Sequence, residues 1–143
     1  MYLVDFSEEM IKFAKQNAKK GKVNAEFIVS KAEKLPFSNN FFDAGICVAL
    51  LQCIPGEKKR EKVAKELFRV LKPGAKAQIL VWNKNSKRFR NSPRERSVKW
   101  RDKGERYYFL YNEKEISNLF KRIGFLILSS KADKNITLVV EKP

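Results

Sequence analysis

Between positions 84 and 106 the chain sets Lys84, Lys87, Arg88, Arg90, Arg94, Arg96, Lys99, Arg101, Lys103 and Arg106 against Glu95, Asp102 and Glu105, then runs on into Tyr107 and Tyr108. So dense a run of cations attracts a polyanion, and Trp82, Phe89 and Trp100, interleaved with it, are rings that stack on bases or anchor the stretch. The alternative is a solvated basic loop with no bound partner. A second chemical signal is Asp5, which ends the apolar run MYLVDF and stands directly before a helix start. A carboxylate there can accept both hydroxyls of a ribose; the plainer reading is a residue that only helps begin the helix. Histidine is absent, which excludes a histidine general base, triad or metal ligand from these residues.

The 143 residues suit one domain with one core, and 43% hydrophobic and 12% aromatic content argues for a globular body. Lys+Arg 31 against Asp+Glu 16 leaves a net charge of +15, a surplus that makes nucleic acid the first partner to consider. A uniformly basic proteome would give the same balance. Cys47 and Cys53, both in or beside an apolar run, read as buried thiols of a reducing compartment, and their spacing fits no zinc pattern. No apolar run approaches the roughly 18 residues of a membrane span, and the first residues do not read as a signal peptide. A soluble, cytoplasmic protein without a bound metal is expected.

Alternating elements position these groups. MYLVDF reads as a buried parallel strand. Ser7 caps a helix with Glu8 and Glu9 in its first turn and Met10, Ile11, Ala14 and Ala18 on its apolar side, and Gly21 stops it. A second strand is expected over 25–30, and a fully buried third over 44–54. A helix then carries Val63, Leu67, Val70 and Leu71 and ends at Pro73-Gly74, and a fourth strand covers 75–82. Ile116, Leu119, Phe120 and Ile123 mark one face of a last helix. The residues after it read as an antiparallel hairpin. The pattern predicts an α/β fold, a mostly parallel sheet with helices on both faces and the hairpin at its edge, with 83–106 as a basic insertion on the side of the sheet where ligands bind.

Asp5, the segment KAEKLPF at 31–37, Phe42-Asp43 and FRVLKPGA at 68–75 occur in the order and spacing of motifs in the class I S-adenosylmethionine-dependent methyltransferases, which the chain resembles. The resemblance implies a Rossmann-like sheet, S-adenosyl-L-methionine as cofactor, and Asp5, Phe6, Lys31, Ala32 and Ala49 as the residues that hold it. Lys31 stands where the family usually has an acid for the adenine amino group, and a cation cannot accept that hydrogen bond, so backbone around Lys31 and Ala32 is expected to serve instead. The family's first strand and glycine-rich loop precede the point at which the sequence starts. One partial methyltransferase domain over 1–143 is therefore expected, truncated at its N-terminus, with a separate chain as one source of the first strand.

The C-terminal half narrows the resemblance. ILVW at 79–82, the basic stretch, and Arg106-Tyr107-Tyr108-Phe109-Leu110-Tyr111 resemble the tRNA wobble-uridine methyltransferases that esterify 5-carboxymethyluridine, including the methyltransferase domain of AlkB-homologue proteins. Gln52-Cys53 replaces that family's usual His-His. The resemblance implies a catalytic group of Arg106, Tyr107 and Tyr108, the arginine holding the carboxylate and the tyrosines orienting it or stacking on the base. It also implies that Trp82, Arg88, Arg90, Arg94, Arg96 and Trp100 grip the anticodon stem-loop. A small zinc-binding activator protein is a further implied partner, covering Phe27 and Val29 of the second strand. The competing expectations are a small-molecule methyltransferase of the same superfamily and an inactive fragment that keeps only RNA binding.

Overall fold

Strand β1 (Tyr2–Asp5) pairs in parallel with β2 (Glu26–Val29), Tyr2 opposite Glu26 and Asp5 opposite Val29. The computed structural model describes residues 1–99 and 104–143. They fall into two compact units, Met1–Phe37 and Ser38–Pro143. In the first unit α1 (Glu8–Lys20) joins β1 to β2 as a crossover helix. Ser7 Oγ accepts from the Met10 amide at 3.3 Å, and the Gly21 amide donates to the Asn17 carbonyl at 2.8 Å, so cap and stop lie where residue type places them. Only Ile11 of the helix is buried; Met10 is exposed, as are Tyr2, Leu3 and Val29 on the strands. The first strand is therefore parallel as expected but not buried, since β2 is its one strand neighbour among the described residues.

The second unit is a four-stranded mixed sheet in the order β3 (Phe42–Val48), β4 (Leu71–Trp82), β8 (Asn135–Glu141), β7 (Leu126–Ala132). β3 and β4 run parallel, joined through a 3-10 turn (Leu51–Cys53) and α2 (Glu57–Val70). β8 is antiparallel to both of its neighbours, and β7–β8 is the expected C-terminal hairpin. Period-2 burial puts Ala75, Ala77, Ile79 and Val81 of β4 and Ile136, Leu138 and Val140 of β8 on the same packed face. α2 contributes Val63, Ala64 and Val70, and α3 (Glu113–Ile123) contributes Ile116, Leu119 and Phe120. At Gly45 a Cβ would come 3.3 Å from Leu67 Cδ1, so glycine is what lets α2 lie this close to β3.

Three expectations are corrected here. The third strand is not fully buried: of β3 only Cys47 is, and Ile46 is 76% exposed, because no strand pairs with its outer edge among the described residues. Cys53 is exposed, since the chain leaves the strand at Val48 and folds residues 51–53 into a turn. Pro73-Gly74 does not close a loop after α2. The helix passes directly into β4 at Leu71, and Gly74, at φ +79°, forms an irregularity inside the strand with its amide on the Lys142 carbonyl at 2.7 Å. Lys142 also sends its ammonium to the carbonyls of Phe68 and Leu71 at 2.9 and 2.8 Å, a charged cap on the C-terminal end of α2. No described helix is long and apolar enough to cross a membrane.

The basic stretch is structured. Residues 83–92 fold into consecutive turns, with Ser86, Phe89 and Ser92 amides bonded to the Asn83, Ser86 and Phe89 carbonyls. Then β5 (Glu95–Lys99) pairs antiparallel with β6 (Glu105–Phe109). The apparent insertion is thus a turn cluster followed by a second hairpin. Its near-continuous charge hides the alternation by which strands are recognised.

Candidate functional site

In the first unit, Asp5 ends β1 half-buried, and its Oδ1 accepts from the Ser7 amide at 2.8 Å. That bond fixes the carboxylate at the helix start and leaves Oδ2 without a hydrogen-bond partner among the described residues, an acceptor suited to a ribose hydroxyl. The helix-start role of Asp5 is thus seen directly, and it leaves the second oxygen open. Phe6 follows it, 72% exposed. Beyond β2, the Ser30 hydroxyl bonds the carbonyls of Lys31 and Lys34 at 3.4 and 3.1 Å and shapes a turn in which Lys31 is exposed and Ala32 half-buried.

In the second unit the site gathers beyond the C-terminal ends of the parallel strands β3 and β4. Ala49 leaves β3 with φ +54°, its amide on the Leu80 carbonyl at 2.9 Å, and its carbonyl accepts from the Cys53 thiol at 3.4 Å. Gln52 is completely buried, and its Oε1 accepts from the Trp82 amide at 2.8 Å, tying the turn after β3 to the end of β4. Gln52 is a structural brace here.

Trp82 is the centre of a three-ring stack. Phe89 lies 5.2 Å from it on one pairing and Tyr108 4.7 Å on the other, with interplanar angles of 23° and 30°. The Arg88 guanidinium sits 5.3 Å from the Trp82 ring and 4.7 Å from Phe89. The Arg88 charge thus lies against these rings, of which Phe89 is buried.

Arg106, Tyr107 and Tyr108 do not converge. Successive strand residues point to opposite faces. Arg106 and Tyr108 share one face of β6, with Arg96 opposite Tyr108 across the hairpin. The β6 strand packs on the 3-10 turn, and Arg106 is near enough to Cys53 to oppose the upward pull of burial on that thiol. Tyr107 turns the other way, where its hydroxyl bonds Glu95 and accepts from Arg60 Nη1 at 3.2 Å. Burial, first, and the Glu95 carboxylate hold the Tyr107 phenol above its usual range, against the pull of Arg60. The structure thus groups Arg106 with Tyr108 and Trp82, and leaves Tyr107 as a strut to α2.

Of the expected phosphate contacts, Arg90 and Arg96 are exposed, whereas Arg94 forms an ion pair with Glu115 and lies 5.0 Å from the Phe109 ring. Trp100 lies outside the described residues. Sequence reasoning missed Arg60, which is only 6% exposed. Its signal was available: it stands three residues before Val63 on the apolar face of α2, where a charged residue has to be explained.

A family model described as a methyltransferase domain matches residues 1–79. The chain belongs to this methyltransferase family. S-adenosyl-L-methionine is the cofactor, and the open Oδ2 of Asp5 fits its ribose. Among curated relatives, the ubiquinone/menaquinone biosynthesis C-methyltransferase UbiE of Yersinia pestis is 34% identical over 84 residues, covering 57% of this chain and 32% of the relative. The chain thus spans about a third of the length of the curated relatives it matches. A SAM-dependent methyltransferase of Methanosarcina mazei superposes with a TM-score of 0.85 at 25% identity, over 99% of this chain and 81% of that one. A methyltransferase solved in complex with the Haloferax volcanii Trm112 methyltransferase activator has a TM-score of 0.75 at 15% identity, over 99% and 71%. The Rossmann-like methyltransferase fold expected from the sequence, with its C-terminal antiparallel pair, is the fold observed.

Proposed function

We propose that the chain takes part in methylation of the carboxylate of 5-carboxymethyluridine at the wobble position of tRNA. The observation that carries the reading is the single face of β6 on which Arg106 lies near Cys53, past the end of β3, and Tyr108 stacks on Trp82 at the end of β4. A cation and an aromatic surface at the C-terminal ends of parallel strands are what an anionic substituent on a planar base needs. When bound, the cofactor supplies an activated methyl group on a sulfonium sulfur. The carboxylate oxygen is already a nucleophile, so the new O–C bond forms as the C–S bond breaks and no proton has to move. The absence of histidine is compatible with that chemistry. Arg106 orients the carboxylate, Tyr108, backed by Trp82, holds the base, and the exposed Arg88, Arg90 and Arg96 meet phosphates.

Supporting the partner side of this reading, the structural neighbour from Haloferax was solved with an activator protein, and β2 here has an outer edge without a strand neighbour among the described residues. A second reading rests on the UbiE relatives: the same stack would face the ring of a small-molecule acceptor, and the methyl would go to carbon.

One assay separates them. The protein, with and without a Trm112-type activator, is incubated with tRNA bearing 5-carboxymethyluridine and methyl-labelled cofactor. Label released as methanol by mild alkali is the expected ester. Alkali-stable label on a quinone precursor, with none on tRNA, would establish the second reading instead.

A further inference from the structure

A cavity of ≈ 300 Å³ opens between α2, α3 and β6, lined by Glu57, Arg60, Arg94, Phe109, Tyr111, Glu115, Leu119 and Arg122. That is the lower end of the size range of ligand pockets, which suits a small molecule. Arg94 and Arg122 are already matched by Glu115 and Glu57, the latter pair at 3.3 Å. Arg60 is not. Its guanidinium is buried 4.0 Å from the centre of the Phe109 ring, and no carboxylate among the described residues forms an ion pair with it. Nη1 is committed to the Ile54 carbonyl at 3.0 Å and the Tyr107 hydroxyl. Nε and Nη2 have no acceptor among the described residues. These two N–H groups form the side-on fork that matches both oxygens of a carboxylate. On the same cavity, Tyr111 is 4% exposed and its hydroxyl has no hydrogen-bond partner among the described residues. A buried cation without an anion and a buried phenol without a partner are each unfavourable, and one ligand would relieve both.

We propose that this cavity binds a small monocarboxylate, held side-on by Arg60 and capped by the Tyr111 hydroxyl. The carboxylates of Glu57 and Glu115 at the lining leave room for one negative charge and disfavour a dianion. Because Arg60 also holds Tyr107 of β6, the ligand steadies the strand that carries Arg106 and Tyr108. The proposal does not depend on which acceptor is methylated.

The test is calorimetric titration and thermal melting of the whole chain with acetate and benzoate, at ionic strength held constant with sodium chloride and with inorganic phosphate in parallel. Saturable binding and a rise in Tm are expected for the carboxylates. Arg60→Met should remove both. Tyr111→Phe should weaken binding by about tenfold, the loss of one hydrogen bond to an ion, while raising the Tm of the unliganded chain by removing an unsatisfied hydroxyl. If Arg60→Met fails to fold, Tyr111→Phe decides, because a merely structural phenol would change Tm and leave affinity alone. No saturable carboxylate binding, binding unchanged in the variants, or phosphate bound in place of the carboxylates would overturn the proposal.

Discussion

At the scale of single residues, the two cysteines report on the site without any ligand. Burial pushes the Cys47 thiol up to about 12, so at pH 8 it stays protonated and unreactive. Cys53 is exposed; burial of its surroundings raises its thiol, and Arg106 draws it back down. One thiol per chain should therefore label with iodoacetamide at pH 8. Since Arg106 favours the thiolate, Arg106→Ala should slow that labelling and shift its pH profile upward. An unchanged profile would place Arg106 away from the turn and remove the basis for its role. Asp5→Ala should weaken cofactor binding by about tenfold, the loss of hydrogen bonds to a carboxylate, and leave RNA affinity unchanged when both are measured by titration. The place of Asp5 at the helix start was legible because strand end, carboxylate and helix start are adjacent in the chain. The bond from Arg60 to Tyr107 spans 47 positions, and no local pattern announces it.

At the scale of elements, α3 shows why some of the fold could be read directly. Its apolar period, its Asn112 cap and its Gly124 stop at φ +116° are all local. The capping box has both bonds, Glu115 amide to Asn112 Oδ1 at 3.0 Å and Asn112 amide to Glu115 Oε2 at 3.1 Å. Asn112→Ala should cost about 1 kcal/mol of stability in denaturant titration. The β5–β6 hairpin was not legible because its stability comes from partners outside it, Trp82 under Tyr108 and Arg60 and Arg94 against Phe109, as well as from Glu95 on Tyr107 within it. Structure also divides the arginines that sequence had grouped. Replacing Arg88, Arg90 and Arg96 by Ser should reduce the slope of log affinity for RNA against log salt by somewhat under one for each phosphate that is no longer neutralised. Replacing Arg94 alone should leave the slope nearly unchanged and lower Tm, because its charge is spent on Glu115. Equal effects on the slope would mean that Arg94 leaves Glu115 to meet phosphate.

For the molecule as a whole, the unpaired strand edges decide what assembly to look for. β3 exposes Ile46 and Val48, at 76% and 53%, beside an edge with no strand among the described residues, and β2 exposes Val29 at 48% beside another. Apolar side chains next to open backbone donors and acceptors are a liability that proteins cover. We expect a further strand along β3, from the same or a second polypeptide, and the zinc-binding activator along β2. The two are separable by hydrogen exchange. Amides of residues 42–48 that do not face β4 should exchange fast in the 143-residue chain and become protected only when a strand is supplied. Those of residues 26–29 that do not face β1 should become protected only by the activator. Val29→Lys should abolish the second protection and co-purification with the activator, and leave the first intact. A chain that gains protection at residues 42–48 from the activator alone would place that partner on β3. The β2 assignment, inferred from Phe27 and Val29, would then fall.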